Sequence, residues 1–219
     1  MLKHITAGIA QGPTIVLCHG FGANMHDLVP IATELGDDRY RFVFPQAPTE
    51  IPGYPGGYAW FPREERELSM FATGAAFSDL SGFDPPGLSE SARDVAVLLD
   101  HLEADPGRTI VAGFSQGAMI ACEMLFGGHW GRPVGLLVLS GSLIAGERWT
   151  KAGGSAAELP VLQSHGDADP ILPIGQAERL GELFGAARAD HRFLRFAGGH
   201  AVPQPVIHSA RSFIRKTLG

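Results

Sequence analysis

Ser115 lies in a pattern that suits nucleophilic catalysis, Gly113-Phe114-Ser115-Gln116-Gly117, which matches G-x-S-x-G. The pattern alone is weak, but Thr109-Ile110-Val111-Ala112 predicts a strand before it and Gln116–Phe126 predicts a helix after it. So sharp a strand-to-helix turn strains the serine backbone, and flanking glycines remove side chains that would collide. The alternative is a tight turn whose serine has no function. The flanking elements favour a nucleophile beside a helix N-terminus, where developing negative charge is stabilised.

A serine hydroxyl needs a neighbouring base, which is most often histidine. The chain has nine histidines. His129 ends the helix that leaves Ser115, and about eleven residues at ~1.5 Å each carry it roughly 16 Å away. His200 instead follows the predicted strand His191–Phe196, in the turn Ala197-Gly198-Gly199-His200, and so lies at the same sheet edge as Ser115. A lone loop histidine is more often an ordinary surface residue, but the order serine, aspartate, histidine favours His200 as the base.

Two aspartates are candidates for the carboxylate that orients this histidine. Both follow the predicted strand Val161–His165, in Gly166-Asp167-Ala168-Asp169-Pro170. Asp167 suits an Asx-type turn in which its side chain bonds the local backbone. Asp169 precedes a proline, which favours an extended conformation that projects the side chain outward. The residues alone favour Asp169 and leave Asp167 open.

Cleavage of a carbonyl compound also needs backbone donors for the oxyanion that forms. One candidate is the N–H of Gln116, at the start of the predicted helix after Ser115. The other is the N–H of Phe21, in the loop His19-Gly20-Phe21-Gly22 that follows an early strand. The alternative for this loop is a plain turn. We expect His19 to be a structural histidine, hydrogen-bonded within the loop, rather than a catalytic one.

Strand-like and helix-like patterns alternate along the chain, which predicts an α/β protein with a mostly parallel central sheet and helices on both faces. In such sheets the chemistry lies at the carboxyl ends of the strands. The predicted strands are Thr14–His19, Tyr40–Phe44, Thr109–Gly113, Val134–Leu139, Val161–His165 and His191–Phe196. The predicted helices are Asp27–Leu35 (closed by Gly36), Ser89–Glu103 (with Ser89 as N-cap), Gln116–Phe126, Pro173–Phe184 and Val206–Leu218.

One irregular segment, residues 46–88, interrupts this alternation within what we expect to be a single domain of residues 1–219. It is rich in proline and glycine and also carries aromatic and other large apolar residues. These are Tyr54, Tyr58, Trp60, Phe61, Met70, Phe71 and Phe77. So long a loop in a compact domain is often a lid or a binding loop. The sequence leaves open whether it acts as a lid or as the contact of a homodimer.

Composition excludes several classes of function. The net charge of −6 and the lack of a basic stripe argue against binding to nucleic acid or to an anionic membrane. Two cysteines, Cys18 and Cys122, predict buried reduced thiols rather than a disulfide framework. The sequence has no run long enough for a membrane span and no signal-peptide pattern, so we expect a cytoplasmic protein. Neither a metal site nor a cofactor site is predicted.

A set of short motifs also occurs in one order along nearly the whole chain. They are His19-Gly20-Phe21-Gly22, Phe44-Pro45-Gln46-Ala47-Pro48, Trp60-Phe61, Gly113-Phe114-Ser115-Gln116-Gly117, Leu139-Ser140-Gly141, His165-Gly166-Asp167-Ala168-Asp169-Pro170 and Gly199-His200. With these motifs the sequence resembles the phospholipase/carboxylesterase family, which includes acyl-protein thioesterases and small bacterial carboxylesterases. An ordered set of motifs is far more specific than any one of them.

The resemblance implies the α/β-hydrolase fold and assigns a site. Ser115, Asp169 and His200 would form the catalytic triad, which selects Asp169 over Asp167. Backbone N–H groups of Phe21 and Gln116 would form the oxyanion hole. Trp60, Phe61 and Leu143 are expected to line an apolar substrate pocket, although core packing explains most aromatic residues of the segment equally well. Pro62 and Arg63 depart from the family, whose members often have an acidic residue soon after the Trp-Phe pair.

The expected function is that of a serine carboxylesterase, which hydrolyses short- to medium-chain acyl esters through an acyl-enzyme on Ser115. The substrate would be a small-molecule acyl ester or thioester. Alternatives are an acyl-protein thioesterase or lysophospholipase, and a ligand-binding protein that uses the fold without turnover. Phospholipid cleavage ranks low because no acidic cluster is evident for a cationic head group. Dienelactone hydrolases share the fold but use a cysteine nucleophile, so Ser115 counts against that family.

Overall fold

The computed structural model describes residues 1–35, 39–62 and 80–219, and these form a seven-stranded sheet with helices around it. The strands are β1 (His4–Gly8), β2 (Thr14–Cys18), β3 (Arg41–Pro45), β4 (Thr49–Glu50), β5 (Tyr58–Ala59), β6 (Thr109–Phe114), β7 (Gly135–Leu139), β8 (Pro160–Gly166) and β9 (Asp190–Phe196). The helices are α1 (Val29–Leu35), α2 (Leu88–His101), α3 (Gln116–Phe126), α4 (Gly146–Lys151), α5 (Ile174–Ala186) and α6 (Gln204–Leu218), with 3₁₀ turns at Pro106–Arg108 and Gly153–Ala156.

The main sheet has the strand order β1-β3-β2-β6-β7-β8-β9. Strand β1 pairs antiparallel with β3, and every other pair in this sheet is parallel. The register aligns Cys18 with Gly113 and Phe114 with Leu139, so neighbouring strands end at one edge. The loops after β2, β6, β8 and β9 therefore meet at the carboxyl edge, where the candidate residues lie.

Two apolar layers cover the sheet because its central strands are buried on both faces. On β6, Val111 packs in one layer with residues of α2, α3 and α5, while Ile110 packs in the other with residues of α1 and α6. The predicted helices on both faces of a mostly parallel sheet are therefore confirmed. The thiols Cys18 and Cys122 are free and buried, and burial raises their pKa values far above the ordinary range.

The six predicted strands and five predicted helices are all present, with ends within two residues of those expected. The prediction of Ser89 as N-cap is wrong. Helix α2 begins one residue earlier, and its N-cap is Gly87 in the left-handed region (φ 88°). The Ser89 hydroxyl instead donates to Oε1 of Glu123 at 2.7 Å. Gly36, the predicted helix stop, lies outside the described residues.

The sequence prediction missed three elements, β1, the hairpin β4–β5 and the short helix α4. Strand β1 reads His-Ile-Thr-Ala-Gly, and its alternation is too short to be distinctive because it rests on only two apolar residues, Ile5 and Ala7. The hairpin lies inside the segment 46–88 and has only two residues on each side. Met70, Phe71 and Phe77 of that segment lie outside the described residues. No helix within the described residues is long and apolar enough to cross a membrane.

Candidate active site

Ser115 occupies the turn between β6 and α3 with a strained backbone, at φ 56° and ψ −119°. The flanking glycines allow this turn. A Cβ at Gly113 would collide with the carbonyl of Gly117, and a Cβ at Gly117 would collide with the carbonyl of Cys18. Ser115 is 7% exposed, at the end of the helix where the first N–H groups lack intrahelical partners. The G-x-S-x-G pattern therefore has the structural setting that the sequence predicts for a nucleophile.

Asp169 and His200 form a direct hydrogen bond, since Nδ1 of His200 lies 2.7 Å from Oδ2 of Asp169. The other carboxylate oxygen, Oδ1, accepts the backbone N–H groups of Ile171 at 2.8 Å and Leu172 at 2.9 Å. Burial by itself raises the pKa of Asp169, but hydrogen bonds from His165, His200 and the backbone outweigh it and hold that pKa well below its usual range. Asp169 is therefore a carboxylate near neutral pH, and Nδ1 of His200 carries the donated proton.

The loops after β8 and β9 are hydrogen-bonded to each other, which positions Asp169 beside His200. The N–H of Asp167 donates to the carbonyl of Phe196 at 2.9 Å, and the N–H of Ala168 donates to that of Gly198 at 2.9 Å. Gly166 permits this approach, because a Cβ there would collide with the carbonyls of the Gly198–Gly199 turn.

Asp167, the other candidate carboxylate, points elsewhere. Its side chain is exposed and accepts a hydrogen bond from Nε of Arg195 at 2.8 Å. The structure thus brings Asp169, rather than Asp167, to His200.

A cavity of ≈ 370 Å³ joins the candidate nucleophile to the candidate base. Ser115 and His200 both line it, together with His19, Gly20, Phe21, Ala23, Asp27, Leu28, Phe114 and Ile171. The ring of Phe114 lies against the imidazole of His200, with 4.7 Å between ring centroids. Most of the wall is therefore apolar, which suits a hydrocarbon chain beside Ser115.

The loop after β2 lies against Ser115, and His19 holds it in place. Nε2 of His19 accepts the backbone N–H of Ala47 at 3.1 Å, so this nitrogen carries no proton. Nδ1 therefore bears the proton and donates it to the carbonyl of Gly20 at 2.8 Å. Burial lowers the pKa of His19 and favours this neutral form. The expectation of a structural histidine agrees with these bonds, and Phe21 reaches the cavity from the same loop.

The aromatic pair after β5 packs behind the site instead of lining the cavity. Trp60 and Phe61 are each 1% exposed. Nε1 of Trp60 donates to the carbonyl of His19 at 2.8 Å. The Gln116 side chain accepts the N–H of Trp60 and donates to the carbonyl of Phe61, both at 2.9 Å. These bonds keep both rings in the core, so the structure does not place them at the predicted pocket wall.

Leu143 is also away from Ser115. It lines a separate, open cavity of ≈ 540 Å³ with Ser81, Gly82 and residues of α4. Sequence reasoning gave no role to the side chain of Gln116 or to His165, which contacts Asp169. No pattern in the sequence signals the Gln116 contacts, since its partners lie more than fifty residues away. Within the described ranges, no three His, Cys, Asp or Glu side chains are grouped to hold a metal ion.

Comparison with known protein families agrees with the geometry of the site. A family model described as Phospholipase/Carboxylesterase matches residues 5–218. The chain belongs to the phospholipase/carboxylesterase family. The predicted resemblance is therefore confirmed, and the family is one of hydrolases.

This phospholipase/carboxylesterase family member is 25% identical to acyl-protein thioesterase 1 homolog 1 of Dictyostelium discoideum, over 99% of this chain and 94% of that protein. It is 27% identical in sequence to esterase PE8, and its structure matches the crystal structure of that esterase with a TM-score of 0.75 over 99% of both chains. Acyl-protein thioesterase 2 of Zea mays is 22% identical, with a TM-score of 0.78 over 100% of both chains, and shows the likeness in fold alone. The predicted α/β-hydrolase fold is confirmed.

Proposed function

We propose that this family member is a serine carboxylic ester hydrolase, which cleaves short- to medium-chain acyl esters through an acyl-enzyme on Ser115. The observation that carries the proposal is the 2.7 Å hydrogen bond between Asp169 and His200 beside the cavity that His200 shares with Ser115. These three side chains have the types, the order and the surroundings that nucleophilic catalysis requires.

The acylation step uses Ser115 as nucleophile and His200 as base. Because Nδ1 of His200 donates to Asp169, Nε2 is the nitrogen that takes the proton from the Ser115 hydroxyl. Oγ then attacks the ester carbonyl, and the tetrahedral intermediate collapses as the protonated His200 gives its proton to the leaving alcohol. The carboxylate of Asp169 stabilises the imidazolium that exists between these two proton transfers.

The negative charge that develops on the carbonyl oxygen needs donors in a fixed position. The N–H of Gln116 lies in the first turn of α3, where backbone donors lack intrahelical partners. The second donor is the N–H of Phe21, on the loop that His19 holds against Ser115. In deacylation, His200 takes a proton from water, which attacks the acyl-enzyme, and Ser115 is released with a free carboxylic acid.

The preference for short to medium chains rests on the cavity. Its volume of ≈ 370 Å³ is at the lower end of the range for small-molecule sites, and Phe21, Leu28, Phe114 and Ile171 provide apolar walls. Such a cavity suits an acyl chain of moderate length.

Thioester hydrolysis is a second candidate function, and the names of the relatives favour it as strongly. The relative from Dictyostelium discoideum is an acyl-protein thioesterase homolog by name. The same triad serves both reactions, because only the leaving group differs, a thiol in place of an alcohol.

The test is hydrolysis of p-nitrophenyl acetate, octanoate and palmitate by the wild type and by Ser115→Ala, with Ser212→Ala as control. Ser212 is an exposed serine on α6. We expect turnover by the wild type and Ser212→Ala, and a loss of about 10⁶-fold in kcat for Ser115→Ala. Equal activity in all three proteins would refute the proposal. Comparing kcat/KM for ethyl octanoate with that for the octanoyl thioester of N-acetylcysteamine then distinguishes an esterase from a thioesterase.

A further inference from the structure

A second histidine contacts the carboxylate of Asp169 and is not among the residues that line the substrate cavity. His165, at the end of β8, is fully buried. Its Nε2 lies 2.6 Å from the carbonyl oxygen of Leu172 and 3.3 Å from Oδ2 of Asp169. Oδ2 is also the oxygen that accepts the hydrogen bond from His200. One carboxylate oxygen is thus shared by two imidazole rings.

The protonation of His165 follows from its partners. A carbonyl oxygen only accepts hydrogen bonds, so Nε2 of His165 carries the proton that it donates to Leu172. Nδ1 is buried and has no hydrogen-bond partner among the described residues. A buried cationic ring without a partner on Nδ1 would be costly, so His165 is the neutral Nε2–H tautomer. Its single N–H donates to the carbonyl of Leu172, and the same nitrogen lies 3.3 Å from Oδ2 of Asp169.

We propose that His165 is a positioning residue for the triad, which fixes the orientation of the Asp169 carboxylate and limits how strongly that carboxylate attracts the proton of His200. The inference rests on the proposed function. With His165, Asp169 has donors on both oxygens: the backbone N–H groups of Ile171 and Leu172 on Oδ1, and the two imidazoles on Oδ2. A carboxylate held at four points cannot turn away from His200.

Loss of the His165 donor has a consequence for pH dependence. Oδ2 would then accept from His200 alone, and its negative charge would be less dispersed. The more basic carboxylate would favour the protonated imidazole of His200, which cannot act as a base. The acid limb of the pH profile of kcat/KM would therefore move to higher pH.

The other charged groups near His200 stay the same when His165 is changed. His19 and Asp27 line the same cavity. Asp167, on the turn that carries Asp169, is exposed and paired with Arg195. A shift of the acid limb in a His165 variant can therefore be assigned to the contact with Asp169.

The experiment compares His165→Leu, which removes the donor, with His165→Gln, whose amide N–H can replace that of Nε2. His191→Leu is the matched control, because Nε2 of His191 bonds Oε1 of Gln163 at 2.9 Å and does not contact the triad. We expect His165→Leu to move the acid limb up by about 0.5 to 1 pH unit, as for a weak hydrogen bond to a charged group. Its kcat should fall by about 10- to 100-fold. His165→Gln should restore most of kcat and most of the wild-type position of the acid limb. His191→Leu should leave the pH profile of kcat/KM unchanged.

A merely structural role predicts a different result. If His165 only ties β8 to Leu172, His165→Leu loses stability but keeps the acid limb of the wild type, and this outcome overturns the proposal. So does a His165→Gln variant that behaves like His165→Leu. A different result overturns the proposed function, namely wild-type turnover that does not depend on Ser115.

A second measurement leaves His165 in place and does not depend on turnover or on the folding of its variants. In the Ser115→Ala protein, NMR follows the Nε2 proton of His165 with and without Asp169→Asn. We expect its chemical shift to change when the carboxylate charge is removed. An unchanged shift would mean that Leu172 alone accepts this proton, which overturns the proposal.

Discussion

Nδ1 of His200 lies 2.7 Å from Oδ2 of Asp169, while Oδ1 of the same carboxylate accepts two backbone N–H groups from its own turn. The backbone bonds fix the direction of the carboxylate before any substrate binds. The bond to His200 then determines which imidazole nitrogen bears the proton. The tautomer of His200 that suits a general base is thus set by the turn after β8.

Asp169→Asn should lower kcat by about 10⁴-fold with little change in structure. The amide removes the charge that stabilises the imidazolium, and its NH₂ group can hold His200 in the wrong tautomer. Steady-state kinetics on p-nitrophenyl octanoate measures the loss. Asp167→Asn is the control, because Asp167 is exposed and bonds Arg195. A large loss in Asp167→Asn with normal activity in Asp169→Asn would contradict the assignment.

His19 should make the protein less stable below about pH 6.5, the usual pKa of an unfolded histidine. Burial lowers the pKa of His19 in the folded state, so below pH 6.5 the unfolded chain binds a proton that the folded chain does not. The free energy of unfolding is therefore fully retained above pH 6.5 and falls as the pH drops toward the folded pKa. His19→Gln, whose side-chain oxygen can still accept the N–H of Ala47, should lose less stability between pH 7 and pH 5.

Urea unfolding at pH 7 and pH 5 measures this difference. His208→Gln, at an exposed position on α6, is the matched control and should keep the pH dependence of the wild type. The same pH dependence in His19→Gln and wild type would show that His19 does not resist protonation.

His19→Gln should also lower kcat by about 10²-fold, because Gly20 loses the donor that holds the oxyanion loop.

Glu123→Gln should destabilise the protein by about 3 to 5 kcal/mol. The Glu123 carboxylate is fully buried and accepts bonds from Arg148 at 2.7 and 2.8 Å, and from Trp149, Ser89 and His129. Burial raises the pKa of Glu123, but these bonds outweigh it and lower that pKa overall. The amide removes the buried charge that these donors surround, and the Arg148 guanidinium keeps only its exposed pair with Asp84. Urea unfolding measures the loss.

The control is Glu147→Gln, which removes an exposed pair with Lys151 and should cost less than about 1 kcal/mol. Because Glu123 lies two turns beyond Ser115 on α3, kcat of the folded Glu123→Gln protein should stay within about 3-fold of wild type. Equal stability losses in the two variants would contradict the importance of the buried network.

Leu28→Trp should shorten the preferred acyl chain. Leu28 lines the cavity beside Ser115, so a larger side chain removes space that a longer acyl chain needs. We expect kcat/KM for p-nitrophenyl octanoate to fall about 10-fold relative to that for acetate. Leu143→Trp is the control, because Leu143 lines another cavity, and its ratio should match the wild type. A changed ratio in Leu143→Trp alone would restore the original expectation that Leu143 lines the substrate pocket.

The sequence predicted the elements and the tight turn around Ser115 because both follow from local rules. Gly113 and Gly117 are required by the backbone geometry around Ser115, whatever lies elsewhere in the chain. Asp167 and Asp169 could not be separated from the residues alone, because the direction of a loop side chain depends on the bonds that the whole turn makes. The resemblance to the family favoured Asp169, the residue that the structure brings to His200.

The aromatic pair shows where the prediction of the site was incomplete. Trp60 and Phe61 have the residue types of a pocket wall, but the same types fill cores. Their position depends on bonds to Gln116 and His19, which lie far away in the sequence. Residue type alone therefore could not separate a pocket wall from the layer behind the site.

Trapping of the acyl-enzyme mimic on Ser115 is the most direct test of the proposed mechanism. A fluorophosphonate probe is added to the wild type, to Ser115→Ala and to Ser212→Ala, and the adduct is located by intact-mass and peptide mass spectrometry. We expect one adduct on Ser115 in the wild type and in Ser212→Ala, and none in Ser115→Ala. An adduct on a different residue, or ester hydrolysis that persists in Ser115→Ala, would contradict the assignment of Ser115 as the nucleophile.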